Sequence, residues 1–130
     1  MKFLKINFLL VDIGFILYWV ITYLSLIPAE LLYSDYHNPL LVVWNWSFFP
    51  IDILVSITGL TTLYLLNQKK REWKYFAIMS LCLTHASGLM AISFWSMQRW
   101  FDLSWWIPNL YLLLYPIPAV YFLLKENQDI

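Results

Sequence analysis

The stretch NQKKREWK, residues 67–74, is a basic turn between two long apolar runs. The apolar runs on the two sides of this turn, and in the rest of the chain, lie at about 6–28, 40–66, 74–96 and 105–124. Each run holds the roughly 20 apolar residues that a helix needs to cross a bilayer. The sequence therefore predicts an all-α integral membrane protein whose single domain, residues 1–130, is a bundle of four transmembrane helices.

The basic residues are distributed unevenly about these runs. Seven of the eight fall on one side of a four-span topology, namely Lys2, Lys5, Lys69, Lys70, Arg71, Lys74 and Lys125. Arg99 falls in a connection on the opposite side. Because loops rich in Lys and Arg stay in the cytoplasm, this distribution predicts that both termini are cytoplasmic.

The composition limits what the chain does and where. Hydrophobic residues make up 62% and charged residues 12%, which is far from the average of soluble domains. Four helices of about 20 residues leave little chain for an extramembrane domain, so any binding has to occur within the helices or at their ends. The formal net charge of zero argues against nucleic acid as a partner, and membrane lipids are the expected surroundings.

Proline positions indicate where the helices begin or bend. Asn38 followed by Pro39 is a typical helix start, with Asn as the N-cap and Pro in the first turn. Pro50 predicts either a kink in the second helix or a spanning helix that begins there, with residues 40–49 in the interface. Pro116 and Pro118 predict that the last helix is bent or locally unwound in its second half.

Two carboxylates lie inside apolar runs, Asp12 in the first and Asp52 in the second. A carboxylate near the bilayer centre costs about 2.5–3.5 kcal/mol on insertion scales, and such residues indicate a functional site by default. Both are therefore candidate proton or ion sites. The alternatives are that Asp12 pairs with Lys5 or the basic turn near its helix start, and that Asp52 caps a helix beginning at Pro50.

Other polar and aromatic residues fall near Asp52 in depth. His85 in the third run and Asn109 in the fourth lie at a similar distance from the basic side, counted at about 1.5 Å per residue. With Asp52 they predict a ligand anchor, a proton site or a polar contact between helices. Tryptophans on the less basic side form an interfacial belt or wall a pocket for an apolar ligand. The expected ligand-binding residues are Asp52, His85, Asn109, Trp44, Trp46, Trp105 and Trp106.

The third run also carries a stripe of small and hydroxyl residues at spacings of three and four, namely Ser80, Thr84, Ser87, Gly88 and Ala91. Such a stripe predicts close approach of a neighbouring helix. No nucleophile–base pair, Gly-rich phosphate loop or HExxH motif occurs in the sequence, and Cys82 is the single cysteine. No catalytic residue, metal or cofactor is therefore predicted, although an enzymatic activity stays open.

The segment WNWSFFPID at residues 44–52, followed by SITGL at 56–60, resembles the YvaD-like family of small bacterial membrane proteins. This resemblance implies a multi-pass protein of the bacterial plasma membrane and brings no activity. More distantly, IPAELLY at residues 27–33 is similar to a stretch of the EXPERA superfamily of sterol isomerases and sigma-2 receptors. That likeness implies a four-helix bundle with a lipophile pocket. No Glu lies inside the apolar runs, so the isomerase acid/base chemistry does not carry over residue by residue.

These features predict a binding or accessory membrane protein with an intramembrane pocket for a lipophilic ligand. The first alternative is a small proton-coupled transporter that acts as a homodimer, in which Asp12 and Asp52 titrate in turn. The second is an isomerase similar to the EXPERA enzymes.

Overall fold

A computed structural model describes the backbone of residues 2–128 and the side chains of residues 2–125. The described chain is helical, with turns between the helices. The helices are α1 (Lys2–Tyr23), α2 (Pro39–Trp46), α3 (Phe49–Asn67), α4 (Trp73–Met97), α5 (Leu103–Leu114) and α6 (Pro116–Gln128). A short 3₁₀ helix, Ala29–Leu31, lies between α1 and α2.

Four segments of this structure are long and apolar enough to cross a membrane, namely Lys2–Tyr23, Pro39–Asn67, Trp73–Met97 and Leu103–Lys125. They confirm the predicted all-helical architecture with four candidate spans. Large apolar side chains lie exposed along them, for example Leu10 at 63% and Leu17 at 54% on α1. Such a surface is unfavourable in water and suits a helix that faces lipid.

The bundle is built on α3 and α4. Helix α3 packs along α1 on one side and α4 on the other, and α4 packs along α5 and α6. The buried apolar residues form two clusters at opposite ends of the bundle. The basic-end core contains Leu4, Phe8, Trp73, Ala77 and Leu123, and the aromatic-end core contains Tyr33, Leu41, Ala91 and Trp95. The basic-end core joins the start of α1, the start of α4 and α6, all of which carry basic residues nearby.

The second span begins as the sequence predicts and is interrupted near Pro50. The Asn38 side chain accepts a hydrogen bond from the backbone N–H of Leu40 at 3.0 Å, and Pro39 occupies the first turn of α2. Helix α2 ends at Trp46, and α3 begins at Phe49 with Pro50 in its first turn. Because proline has no N–H to donate to the preceding turn, the helix is broken here. The interruption falls where Pro50 predicts it, and the candidate span as a whole runs from Pro39 to Asn67.

The last span is divided at Tyr115. Helix α5 ends at Leu114 and α6 begins at Pro116, which confirms the predicted interruption in the second half. Pro116 and Pro118 supply no N–H to the carbonyls one turn earlier. Those carbonyls belong to Leu112 and Leu114, and the His85 ring bonds the carbonyl between them, since its Nδ1 lies 2.8 Å from the Leu113 oxygen. A carbonyl only accepts, so His85 is the donor.

The small-residue stripe of α4 lies in the helix interface, as predicted. Its five residues are all buried, and Gly88 shows why a small residue is needed. A Cβ atom at Gly88 would lie 2.6 Å from the Leu113 nitrogen and 2.9 Å from the Asn109 oxygen. Both atoms belong to the α5 backbone, which cannot rotate away as a side chain does. The missing side chain at Gly88 therefore sets how closely α4 and α5 approach.

We expect Gly88→Ala to destabilise the protein by about 1–3 kcal/mol, because the added methyl group overpacks the α4–α5 interface. Gly14→Ala is the matched control, since a Cβ there meets no atom within 4 Å. Unfolding in detergent micelles, followed by circular dichroism, measures both changes. Equal stability of the two variants would contradict this account of the interface.

Candidate functional site

A cleft of about 490 Å³ lies between α1 and α5. Its walls come from five helices and from the segment that joins α1 to α2, and most of the lining side chains are apolar or aromatic. The side chains in the wall that carry a polar atom belong to Tyr18, Trp19, Trp44, Asn45, Asp52, Ser87, Trp95, Ser104, Trp105, Asn109 and Tyr111. An apolar cavity of this size with a few polar groups is typical of a small-molecule site.

The cleft opens sideways between the first and the last span. At one end, the rings of Tyr18 and Trp105 meet with their centroids 6.0 Å apart. At the other end, the Tyr111 hydroxyl donates a hydrogen bond to the Asn7 side chain. Between these contacts Gly14 lines the cleft, is exposed and has open space where a side chain would project. The opening therefore faces the surroundings of the bundle along α1, where lipid lies in a membrane.

Asp52 lies in the wall of the cleft and is held by two other helices. Its Oδ2 accepts a hydrogen bond from the Trp19 indole at 2.9 Å, and its Oδ1 accepts one from the Ser87 hydroxyl at 3.0 Å. The side chain is only 4% exposed. These bonds join α1, α3 and α4 and fix the orientation of the carboxyl group.

The position of Asp52 resolves two alternatives left open by the sequence. Asp52 lies in the first turn of α3, as expected for a helix that begins near Pro50. Its side chain nevertheless bonds Trp19 and Ser87 rather than the backbone of its own helix start, where no side-chain cap is present at Phe48. A side-chain cap therefore does not account for Asp52, whereas its first-turn position suits the helix dipole, and its hydrogen bonds are a polar contact between helices.

Four of the seven expected ligand-binding residues line the cleft: Asp52, Asn109, Trp44 and Trp105. His85, Trp46 and Trp106 are not among the lining residues. Trp46 packs on Trp19 with ring centroids 4.9 Å apart, and the Trp106 indole donates to the Trp100 carbonyl at 2.7 Å. Whether any of these residues binds a ligand stays a prediction.

The expected hydrogen-bonded cluster of Asp52, His85 and Asn109 does not form. His85 donates to the Leu113 carbonyl, and the Asn109 amide donates to the Trp105 carbonyl one turn earlier at 2.7 Å. Both side chains bond backbone carbonyls of the last span: His85 bonds one beside the break at Tyr115, and Asn109 bonds one inside its own helix α5. The three residues were predicted to lie close together only because they fall at similar distances along their helices. In the structure, His85 and Asn109 bond these carbonyls rather than Asp52.

Sequence reasoning missed Trp19 and Tyr18 as site residues. Trp19 carries the donor to Asp52, and Tyr18 donates to the Asn45 side chain at 3.2 Å. A usable signal was present, because Trp19 follows Asp12 by seven residues and therefore shares its helix face. Ser87 was noted in the small-residue stripe, but its hydroxyl also has a partner across the interface.

The tryptophans of the less basic side gather at one end and pack on one another. Trp44 stacks on Phe94 with centroids 4.0 Å apart and meets the edge of Trp95 at 5.1 Å. Trp95 is only 4% exposed, so it belongs to the protein core at this end. The Trp105 indole donates to the Leu31 carbonyl at 2.9 Å. These residues therefore form an aromatic wall as well as a candidate interfacial belt.

Asp12 is not one of the residues that line the cleft, and its side chain is fully buried. Helix α1 begins at Lys2, so Asp12 lies about three turns into it rather than in its first two turns. Within the described side chains, neither of its carboxyl oxygens has a hydrogen-bond partner. The expected pairing with Lys5 or with the basic turn is therefore not observed.

Comparison with known proteins shows which family the chain belongs to and assigns no activity. Residues 4–130 match a family described as a family of unknown function, DUF5360. The uncharacterised protein YvaD of Bacillus subtilis (strain 168) is 49% identical over 128 residues, which cover 98% of this chain and 96% of that protein. No solved structure matches. The resemblance to the YvaD-like family is confirmed, whereas the comparisons give no support to the likeness to the EXPERA superfamily.

We expect Trp19→Phe to destabilise the protein by about 1–3 kcal/mol, because it removes a donor and leaves a buried carboxyl oxygen without its partner. Trp46→Phe is the matched control, since Trp46 contacts the same Trp19 ring but gives no hydrogen bond to Asp52. Chemical unfolding in micelles compares the two variants. A loss of stability no larger in Trp19→Phe than in Trp46→Phe would refute the role given to the indole N–H.

Proposed function

The chain belongs to the family of unknown function DUF5360, and we propose that it is a membrane binding protein for a lipophilic molecule with a cationic head. The single observation that carries this proposal is the Asp52 carboxyl in the wall of an otherwise largely apolar cleft. The ligand lies in the cleft between α1 and α5, and its head group pairs with Asp52.

The chemistry of the cleft favours a cation. The Asp52 oxygens already accept hydrogen bonds from Trp19 and Ser87, and a carboxylate has about four acceptor positions, which leaves room for a further donor. Aromatic rings of Tyr18, Trp44 and Trp105 line the same cleft, and ring faces attract cations. Because two helices fix the carboxyl group in advance, binding costs little side-chain entropy.

The lateral opening favours a lipophile as the ligand. A molecule dissolved in the bilayer reaches the cleft beside Gly14 without first passing through water. The apolar walls then replace the lipid tails around its hydrocarbon part, while Asp52 holds its head. A protein that binds such a molecule in this way would act as an accessory protein, which holds the molecule or passes it to another protein.

The same proposal includes the orientation and location expected from the sequence. Both termini lie in the cytoplasm of a bacterial cell, and the four spans cross its plasma membrane. The support is the distribution of basic residues, since loops rich in Lys and Arg stay inside.

A proton-coupled transporter is the second candidate function, and the buried Asp12 favours it. Four helices from one chain rarely enclose a translocation path, so this function requires a homodimer. A protein that is monomeric in mild detergent and in lipid, and that shows no pH-dependent flux in liposomes, would exclude it.

We expect Asp52→Asn to weaken binding of a long-chain alkyl quaternary ammonium by at least about tenfold, or about 1.4 kcal/mol, because the charge partner is lost. The alcohol of the same chain length is the matched probe, and its binding should change far less. Calorimetric titration of the protein in lipid nanodiscs measures both affinities. Unchanged affinity for the ammonium probe would reject Asp52 as the anchor.

We expect Gly14→Trp to abolish binding of both probes, because the indole fills the opening of the cleft where no atom now lies. Ile16→Trp is the control, since Ile16 is exposed on roughly the opposite face of α1. The same titrations measure both variants. Equal binding by the two would show that ligands do not enter or occupy the cleft beside α1.

Two exposed glutamines report the orientation: Gln68 follows the end of α3 in the basic turn, and Gln98 follows the end of α4 on the other side of the predicted membrane. In a Cys82→Ser background, we expect a membrane-impermeant maleimide to label Gln98→Cys in intact cells and Gln68→Cys only after the cells are opened. The reverse pattern would place the basic turn outside the cell.

A further inference from the structure

Asp12 occupies a closed position between α1 and α3. The Ser56 hydroxyl donates to the Asp12 backbone carbonyl at 2.9 Å and joins the two helices at this level. The Asp12 carboxyl lies where a side chain on Gly59 would be, because a Cβ atom added there overlaps it. The absence of a side chain at position 59 therefore provides the space that the carboxyl group fills.

The hydroxyl groups of the neighbouring helices do not serve this carboxyl. On α3 the Thr62 hydroxyl donates to the Thr58 carbonyl at 2.8 Å. On α4 the Ser80 hydroxyl donates to the Val55 carbonyl at 3.1 Å, and the Thr84 hydroxyl donates to the Ser80 carbonyl at 2.7 Å. Each of these donors is used by the backbone. Among the described residues both Asp12 oxygens are left without a partner.

A buried carboxyl group without a partner is costly in either protonation state. A polar group taken out of water without a compensating hydrogen bond costs about 1–3 kcal/mol by mutational data, and a charged group costs more. Such groups are rare in native proteins, and an ion or a functional role is a common cause. Asp12 differs in this respect from Asp52, which has two donors.

We propose that Asp12 is the binding site of a monovalent cation, H⁺ or Na⁺, within the bundle. Either cation removes the larger cost, that of the buried charge: H⁺ neutralises the carboxylate, and Na⁺ gives it the positive partner that the surrounding side chains do not supply. Asp12 is not among the residues that line the cleft, although its neighbour Val11 is, and its carboxyl group lies against Gly59, seven residues or about 10 Å along α3 from Asp52. The inference holds whether or not the cleft binds a lipophile.

Few ionisable groups lie near this site. Tyr115, at the junction of α5 and α6, is close enough to interact electrostatically with Asp12. Asp52 is the acid on α3, two turns away. The residues of α4 described above at this level, Ser80 and Thr84, do not titrate. An Asp52→Asn background therefore isolates the response of Asp12 from that of the other buried acid.

The first experiment measures the thermal midpoint of the Asp52→Asn protein in lipid nanodiscs by circular dichroism. A cation that binds the folded state alone stabilises it by mass action. We expect the midpoint to rise either with sodium chloride, compared with choline chloride at constant pH, or with proton concentration at constant salt. The first result identifies Na⁺ and the second identifies H⁺. A midpoint that responds to neither, or a response that persists after Asp12→Asn is added, overturns the proposal.

The second experiment uses the wild-type chain, so it does not depend on a variant that folds. A hydrophobic carbodiimide reacts with carboxyl groups inside membranes, and mass spectrometry of peptides locates the adduct. We expect an adduct on Asp12 that is lost as pH rises if the cation is H⁺, or as Na⁺ replaces choline if it is Na⁺. Labelling of Asp12 that is independent of both cations, or no labelling of it under any condition, refutes the site.

Discussion

The structure depends on the rule that polar groups inside an apolar bundle need partners from the chain itself. Asp52 shows this most clearly, since its carboxyl group is shared by an indole on α1 and a hydroxyl on α4. These two bonds hold three helices in one arrangement around α3. Helices α1 and α5 meet at the Asn7–Tyr111 hydrogen bond and at the Tyr18–Trp105 ring contact, and the cleft lies between these two contacts.

Proline residues also create polar groups that need partners, because they break two of the spans. Pro50 breaks the second span and puts Asp52 in the first turn of a new helix, and Pro116 breaks the last span. Each break removes hydrogen bonds from a helix in a region where water is scarce. At the second break, the His85 ring of the neighbouring α4 bonds the Leu113 carbonyl. A side chain that looked like a site residue therefore serves the backbone.

The sequence predicted the features that follow from local or one-dimensional rules. Hydropathy predicted the four spans, Asn38 and Pro39 predicted a helix start, and the stripe around Gly88 predicted a close helix contact. The partner of His85 was not predictable, because it depends on how α4 packs against the break in the last span, and Asn109 bonds a carbonyl of its own helix instead of Asp52. Spacing from Asp12 indicates which face of α1 carries Trp19, but the bond from its indole to Asp52 depends on the packing of α1 on α3. Local patterns therefore predicted helices and their buried faces, whereas the pairing of side chains between helices depended on the packing.

The contact between Asp12 and Gly59 makes two distant positions a single unit for substitution. Any residue larger than glycine at position 59 collides with the acid, and an acid at position 12 requires that gap. A side chain can therefore be introduced at position 59 only together with a smaller residue at position 12, whereas position 12 can change while the glycine stays. A relative that lacks the glycine is accordingly expected to lack the aspartate as well.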